Sequence, residues 1–196
     1  MTQMIRTICI GAVAALLLVA ARPASAQDLT AGYQYQRLVD SGDAVNVPMG
    51  FAIDGSVPIS GSLSAVGQFD LSRKTESASE SVFGSSYEAS MTLATFGAGL
   101  RWTAPRSGAR PFLQLLVGVG TMTASLDCKV EGVSCKDLLG DLSASETKGM
   151  VQAGGGVSVP LSTRLRGVAQ ADYRRIFSTD GTNSLRLFGG LRFGFK

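Results

Sequence analysis

The chain has 196 residues, 24 of them glycine and none histidine, with 18 basic and 15 acidic side chains and a formal net charge of +3. So even a balance gives no electrostatic case for nucleic acid. Without histidine, neither a Ser-His-Asp nor a Cys-His triad can be assembled.

The first element reads as a leader. Arg6 supplies a positive start, Ile8 to Ala21 is an unbroken run of small and apolar residues, and Ala24-Ser25-Ala26 is a small-x-small cleavage site. The run is shorter than the ~20 apolar residues of a spanning helix. The expectation is a signal peptide over residues 1–26 and one domain over 27–196. No second long apolar run follows, so a membrane-crossing domain would have to cross with strands.

After residue 27 the dominant period is two, the signature of strands. Leu29, Ala31, Tyr33 and Tyr35 alternate with Thr30, Gly32, Gln34 and Gln36. In the second segment Met49, Phe51 and Ile53 alternate with Gly50, Ala52 and Asp54, and a tight turn follows near 58–61, where Pro58 and Gly61 act as breakers. The third strand sets Leu63, Ala65, Gly67, Phe69 and Leu71 against Ser64, Val66, Gln68 and Asp70. The fourth runs from about Tyr87 to Trp102 with a broken period. Tyr87, Ala89, Met91 and Leu93 share one parity and Phe96, Ala98, Leu100 and Trp102 the other, which predicts a β-bulge near Ala94 or Thr95.

The fifth strand carries Leu113, Leu115, Val117 and Val119 opposite Gln114, Leu116, Gly118 and Gly120. The sixth has Val151, Ala153, Val157 and Val159 opposite Gln152, Gly154, Gly156 and Ser158. In the seventh, Leu165, Ala169, Ala171 and Tyr173 oppose Arg166, Gln170, Asp172 and Arg174. In the eighth, Leu185, Leu187, Leu191, Phe193 and Phe195 oppose Arg186, Phe188, Gly190, Arg192 and Gly194. Polar loops are predicted at 39–48, 72–86, 124–147 and 178–183, and short turns at 58–61, 103–110 and 160–163. Long loops on one rim and short turns on the other is the pattern of an outer-membrane barrel.

The sequence therefore predicts an all-β, eight-stranded, antiparallel up-and-down transmembrane β-barrel. Its outer face is almost free of charge, as lipid demands. Its other face carries Asp54, Asp70, Arg101, Arg166, Asp172, Arg174, Arg186 and Arg192, which would form a polar network inside a lumen too narrow for much else. A secreted, soluble lipocalin-like binding barrel with the two faces exchanged is the rival architecture. Tyr33, Tyr35, Tyr87, Trp102, Tyr173, Phe193 and Phe195 are candidates for interfacial girdles.

Cys9 lies in the leader. Cys128 and Cys135 remain, an even pair in a polar stretch of an exported chain, and are expected to bond in an oxidising compartment. Zinc is a weak reading, since two thiolates lack the two further ligands of a structural site. The cysteine spacing is not C-x-x-C. Gly154-Gly155-Gly156 lies within a strand with no helix after it, so it cradles no phosphate.

The stretch Ala171-Asp172-Tyr173-Arg174-Arg175-Ile176, and then Ser184-Leu185-Arg186-Leu187-Phe188-Gly189-Gly190-Leu191-Arg192-Phe193-Gly194-Phe195, resembles the closing hairpin of the small outer-membrane β-barrel domain family, with its OmpA- and OmpX-type barrels and opacity-type surface proteins. Pro111-Phe112-Leu113-Gln114 through Gly120 is similar to that family's fifth strand. The resemblance implies a cell outer-membrane location, lipid and the barrel-assembly machinery as partners, and a terminal aromatic residue, here Phe195 followed by Lys196. The resemblance to outer-membrane barrel lipases and acyltransferases fails at histidine. The expected protein is a non-enzymatic monomer without cofactor or metal. Its role is structural, or one of surface contact with an unidentified extracellular ligand through its loops. A narrow pore is the alternative for the lumen.

Overall fold

The computed structural model describes residues 27–40, 43–80, 85–130, 133–134, 143–177 and 181–195. The leader and Cys135 lie outside them. The strands are β1 (Gln27–Asp40), β2 (Asp43–Ser60), β3 (Leu63–Glu80), β4 (Ser85–Thr103), β5 (Arg110–Val130), the two-residue β6 (Val133–Ser134), β7 (Ser143–Pro160), β8 (Leu165–Ile176) and β9 (Thr182–Phe195). Each barrel strand pairs antiparallel with its neighbours, β1 pairs with β9, and β4 pairs with β5, so the sheet closes into an eight-stranded barrel with β6 as an appendage of β5. Closure leaves no edge strand, which is what a sheet surrounded by hydrocarbon requires.

The polarity is inside-out. On β5, Leu113, Leu115, Val117 and Val119 are exposed, whereas Phe112, Gln114 and Leu116 are buried. The same alternation holds on β8 and β9, where Gln170, Asp172, Arg174, Arg186 and Arg192 are buried while Tyr173, Leu185, Leu187, Leu191 and Phe193 face out. A soluble lipocalin-like barrel needs the reverse, and that rival is excluded. On β5 the outward apolar stretch runs from Pro111 to Val119 and gives way to Thr121 and Thr123. That is about the 9–11 residues a tilted strand needs to cross hydrocarbon. Trp102, Phe193 and Phe195 lie outward toward the short-turn rim, and Tyr33 and Tyr173 lie outward further along. Tyr35 is half-buried, and the Tyr87 side chain lies outside the described set.

Two expectations are corrected. No bulge breaks β4: its pairing with β3 runs without a shift from Leu63↔Trp102 to Glu80↔Ser85. Met91 and Leu93 continue the inward parity of Thr95 and Arg101, and they pack in an apolar layer inside the barrel with Leu38, Val47, Met122, Met150 and Ile176. Besides a shift near the turn at Pro58–Ser60, a register shift lies instead on β2, between Gln34↔Gly50 and Gln36↔Val47. Pro48 falls within it, and a proline, which cannot donate to the ladder, is accommodated at a bulge.

The predicted loops at 39–48, 72–86 and 124–147 are, for much of their described length, continuing strands, and of 178–183 Thr182 and Asn183 belong to β9. β3 and β4 pair as far as Glu80↔Ser85, β5 and β7 as far as Ser125↔Ser143, and β9 starts at Thr182. Beyond the apolar band water reaches both faces, so nothing enforces alternation, and a polar strand reads as a loop. Hydroxyl pairs across the strands, Thr121–Thr147 at 2.8 Å and Thr123–Ser145 at 3.1 Å, mark the projecting β5–β7 hairpin.

Glycine fixes the wall where strands crowd. A Cβ on Gly118 would lie 1.9 Å from the Phe96 carbonyl oxygen, whereas one on Gly189 meets nothing within 4 Å. Gly118→Ala is expected to cost about 1–3 kcal/mol through overpacking, with Gly189→Ala close to neutral. Urea titration of the refolded barrel checks the contrast.

The lumen as candidate functional site

Alternation places every second residue of eight strands in a lumen that only side chains can fill. Charged groups there must find partners, since an unpaired buried charge costs several kcal/mol. Three ion pairs meet that need. Arg101 bonds Asp54 at 3.0 Å. Arg174 grips Asp70 with both Nη atoms, at 3.1 and 2.7 Å. Arg186 donates through Nη1 to Asp172. The aspartates come from β2, β3 and β8 and the arginines from β4, β8 and β9: Asp70–Arg174 joins distant staves across the lumen, Asp54–Arg101 reaches over β3, and Asp172–Arg186 links the adjacent β8 and β9.

Glutamines connect the pairs. Asp70 also accepts from Gln34 at 3.1 Å, Gln36 at 3.2 Å and Gln68 at 3.0 Å. Gln152 takes Nε and Nη2 of Arg174 at 3.0 and 2.7 Å, and Gln114 does the same for Arg101 at 3.0 and 2.7 Å. Gln170 donates to both oxygens of Asp172 at 3.0 and 2.7 Å. An amide both donates and accepts, so it can hand a bond from one charge to the next. Arg101 and Arg192 lie against the Phe112 ring at 4.9 and 5.2 Å, and Arg186 against Phe188 at 5.0 Å. Small residues make the room: a Cβ on Gly154 would come within 2.2 Å of the Asp172 carboxylate.

Of the eight residues predicted for this network, Asp54, Asp70, Arg101, Asp172, Arg174 and Arg186 form the three pairs. The other two join no carboxylate among the described residues. Arg192 is buried and bonds Thr30 through Nε at 3.1 Å. Arg166 sits half-buried at the short-turn mouth, bonded to Ser158 Oγ at 3.2 Å and to the Gly108 carbonyl at 2.7 Å. Sequence reasoning missed the apolar layer above the pairs and the ring contacts of Phe112 and Phe188. The signal for the rings was present, an aromatic on the parity of interior arginines. Among the described residues no cluster suits a metal ion, and no helix is long and apolar enough to cross a membrane.

The sequence profile of the outer membrane protein beta-barrel domain matches residues 11–194. The chain belongs to that family. Its place is accordingly the outer membrane, and the apolar band meets lipid. Among solved structures it is similar to Ail, the attachment invasion locus protein of Yersinia pestis, in complex with the heparin analogue sucrose octasulfate. That match has 19% identity and a TM-score of 0.62, covering 88% of this chain and 100% of that one. It is also similar to Neisserial surface protein A, with 14% identity and a TM-score of 0.64, covering 87% of this chain and 99% of that one. At such identities the likeness is one of fold. Curated protein sequences contain no match. Within this family of barrels, the short turns face the periplasm and the projecting hairpins the exterior.

Proposed function

We propose that this family member is a non-conducting, non-enzymatic outer-membrane barrel whose projecting hairpins make the surface contact. The observation that carries the reading is the filled lumen: Asp70 and Arg174 are each 0% exposed, and Leu38, Val47, Leu93, Met150 and Ile176 close the channel above them. A plugged scaffold leaves the hairpins as the working part, as loops on rigid frames often are. Between them lies a cup of about 680 Å³ lined by Lys74, Glu76, Met91 and Leu126 among others. Lys74–Glu76 at 2.6 Å and Lys148–Glu146 at 2.7 Å give the hairpins mixed charge. Ail is seen with a heparin analogue; the paired charges here favour a contact partner of mixed or neutral character over a polyanion.

The barrel satisfies its own edges, so it acts as a monomer. The outward Phe193 and Phe195, in edge contact at 5.0 Å on the last strand, are what the barrel-assembly machinery would read. We include a Cys128–Cys135 disulfide in this proposal. An even pair of cysteines in an exported chain supports it. Reduction is expected to raise the intact mass by two hydrogens and to cost the hairpin roughly 2–3 kcal/mol of restraint in the chain-entropy model, read by mass spectrometry and proteolysis of the hairpin.

Whole-cell labelling tests the reading. In a background lacking Cys128 and Cys135, Ser77→Cys on β3 is expected to react with an impermeant maleimide, and Ser162→Cys in a short turn is not. Labelling at Ser162 alone would invert the topology. Steady conductance of the purified barrel in planar bilayers would instead favour the narrow pore.

A further inference from the structure

The lumen holds an uneven charge count. Arg101, Arg174, Arg186 and Arg192 are all buried, but the three carboxylates among them are taken by the first three. Arg192 is 4% exposed, and among the described residues the hydrogen bond from its guanidinium is the one from Nε to Thr30 at 3.1 Å. Nη2 is buried with none. The Phe112 ring lies 5.2 Å from the guanidinium carbon and offers Nη2 no oxygen acceptor. A buried charge in that condition calls for an acceptor.

Arg192 forms part of a cavity of about 650 Å³ at the short-turn mouth, and that cavity is also lined by Arg106, Arg110 and Arg166. These arginines are aimed by neutral oxygens. Arg110 bonds the Arg106 carbonyl through Nε at 2.9 Å. Arg166 bonds Ser158 through Nε at 3.2 Å and Gly108 and Ser158 carbonyls through Nη2 at 2.7 and 2.9 Å. Among the described residues neither makes an ion pair. Among the described residues Asp28 is the carboxylate lining the cavity, so four of their guanidinium groups face one acid.

We propose that this periplasmic mouth binds a phosphate-class oxyanion, held by Arg110 and Arg166 at the entrance and by Arg192 at the floor. Guanidinium forks match tetrahedral and planar oxyanions with paired, charge-assisted bonds, and a cavity of this size admits a phosphate with substituents. The same chemistry is offered by free phosphate and by the headgroup of an anionic phospholipid in the inner leaflet.

The test uses the full mature barrel folded in a neutral glycoside detergent. Inorganic phosphate is titrated against chloride at matched ionic strength, with phosphorus NMR line width as the readout. Saturable broadening is expected. Arg110→Gln combined with Arg166→Gln should weaken it about tenfold or more, the loss of one or two charged hydrogen bonds, whereas Lys74→Gln on the far rim leaves it unchanged. Both substituted arginines lie outside the buried pairs, so the double variant should fold, as heat-dependent gel mobility will show. A second arm places the barrel in nanodiscs of neutral lipid with or without phosphatidylglycerol and counts retained lipids by native mass spectrometry. Phosphate binding that the double variant loses assigns a free oxyanion. Retention of phosphatidylglycerol alone, lost in the double variant, assigns a headgroup. No saturable binding in either arm, or binding indifferent to Arg110 and Arg166, overturns the proposal.

Discussion

Asp70→Ala is expected to destabilise the folded barrel by about 3–5 kcal/mol, the cost of removing one partner of a buried ion pair. The side chain is 0% exposed and accepts from Arg174, Gln34, Gln36 and Gln68 at 2.7 to 3.2 Å. Its loss strands a guanidinium whose remaining acceptor is Gln152, and it leaves three amides short of an oxygen. Much of the effect is therefore the cost of the charge left behind, not the worth of the pair. Removing both charges separates these two contributions. Asp70→Leu combined with Arg174→Met replaces the pair by apolar volume, and should recover most of the loss, since such exchanges are often neutral or stabilising. The probe is built in: Trp102 is the chain's one tryptophan and lies outward at the short-turn rim. Its fluorescence during urea unfolding from phospholipid vesicles reads each variant. A single substitution costing under ~1 kcal/mol would mean that water reaches Asp70, and the plugged lumen would fall with it.

The ion pairs also mark where sequence reasoning succeeds and where it fails. Polar residues at every second position of β8 and β9 have one physical explanation in a charge-free outer face, so the inward set there was legible. Asp54 and Asp70 followed from parity on β2 and β3. The failures share a cause: alternation reports a difference between two environments, and it disappears where the environments match. Met91 and Leu93 face an apolar layer inside, while Phe96 and Leu100 on the opposite parity face outward. Both directions are apolar, and a straight strand looks bulged. At Thr121, Thr123 and Ser145 both directions are wet, and a paired strand looks like a loop. The bulge at Pro48 left a local signal, a proline within an alternating run. Nothing in the sequence indicated which aspartate would pair with which arginine. That depends on how far around the barrel each strand lies and on the lengths of side chains meeting at the axis.

Leu115→Arg should cost about 2–4 kcal/mol, the range for a basic residue on the lipid face at the bilayer midplane. Leu115 is 56% exposed, with Pro111 and Leu113 before it and Val117 and Val119 after it on the same outward face. It is therefore central in the apolar stretch of β5. Thr123→Arg has the same strand, the same outward parity and the same added charge, but it lies past the band, where the cost should fall to about 0–1 kcal/mol. The pair isolates the solvent on the outer face. In water, exposed Leu115 would accept arginine with little change, as most surface substitutions do within ~0.5 kcal/mol. In hydrocarbon, the charge must snorkel or thin the bilayer to reach water. Unfolding from vesicles of shorter-chain lipid should narrow the gap between the two variants, because the thinner bilayer brings water nearer to Leu115. Equal costs at the two positions, in vesicles of either thickness, would remove lipid from the outer wall. The inward placement of the charged residues would then have no driving force.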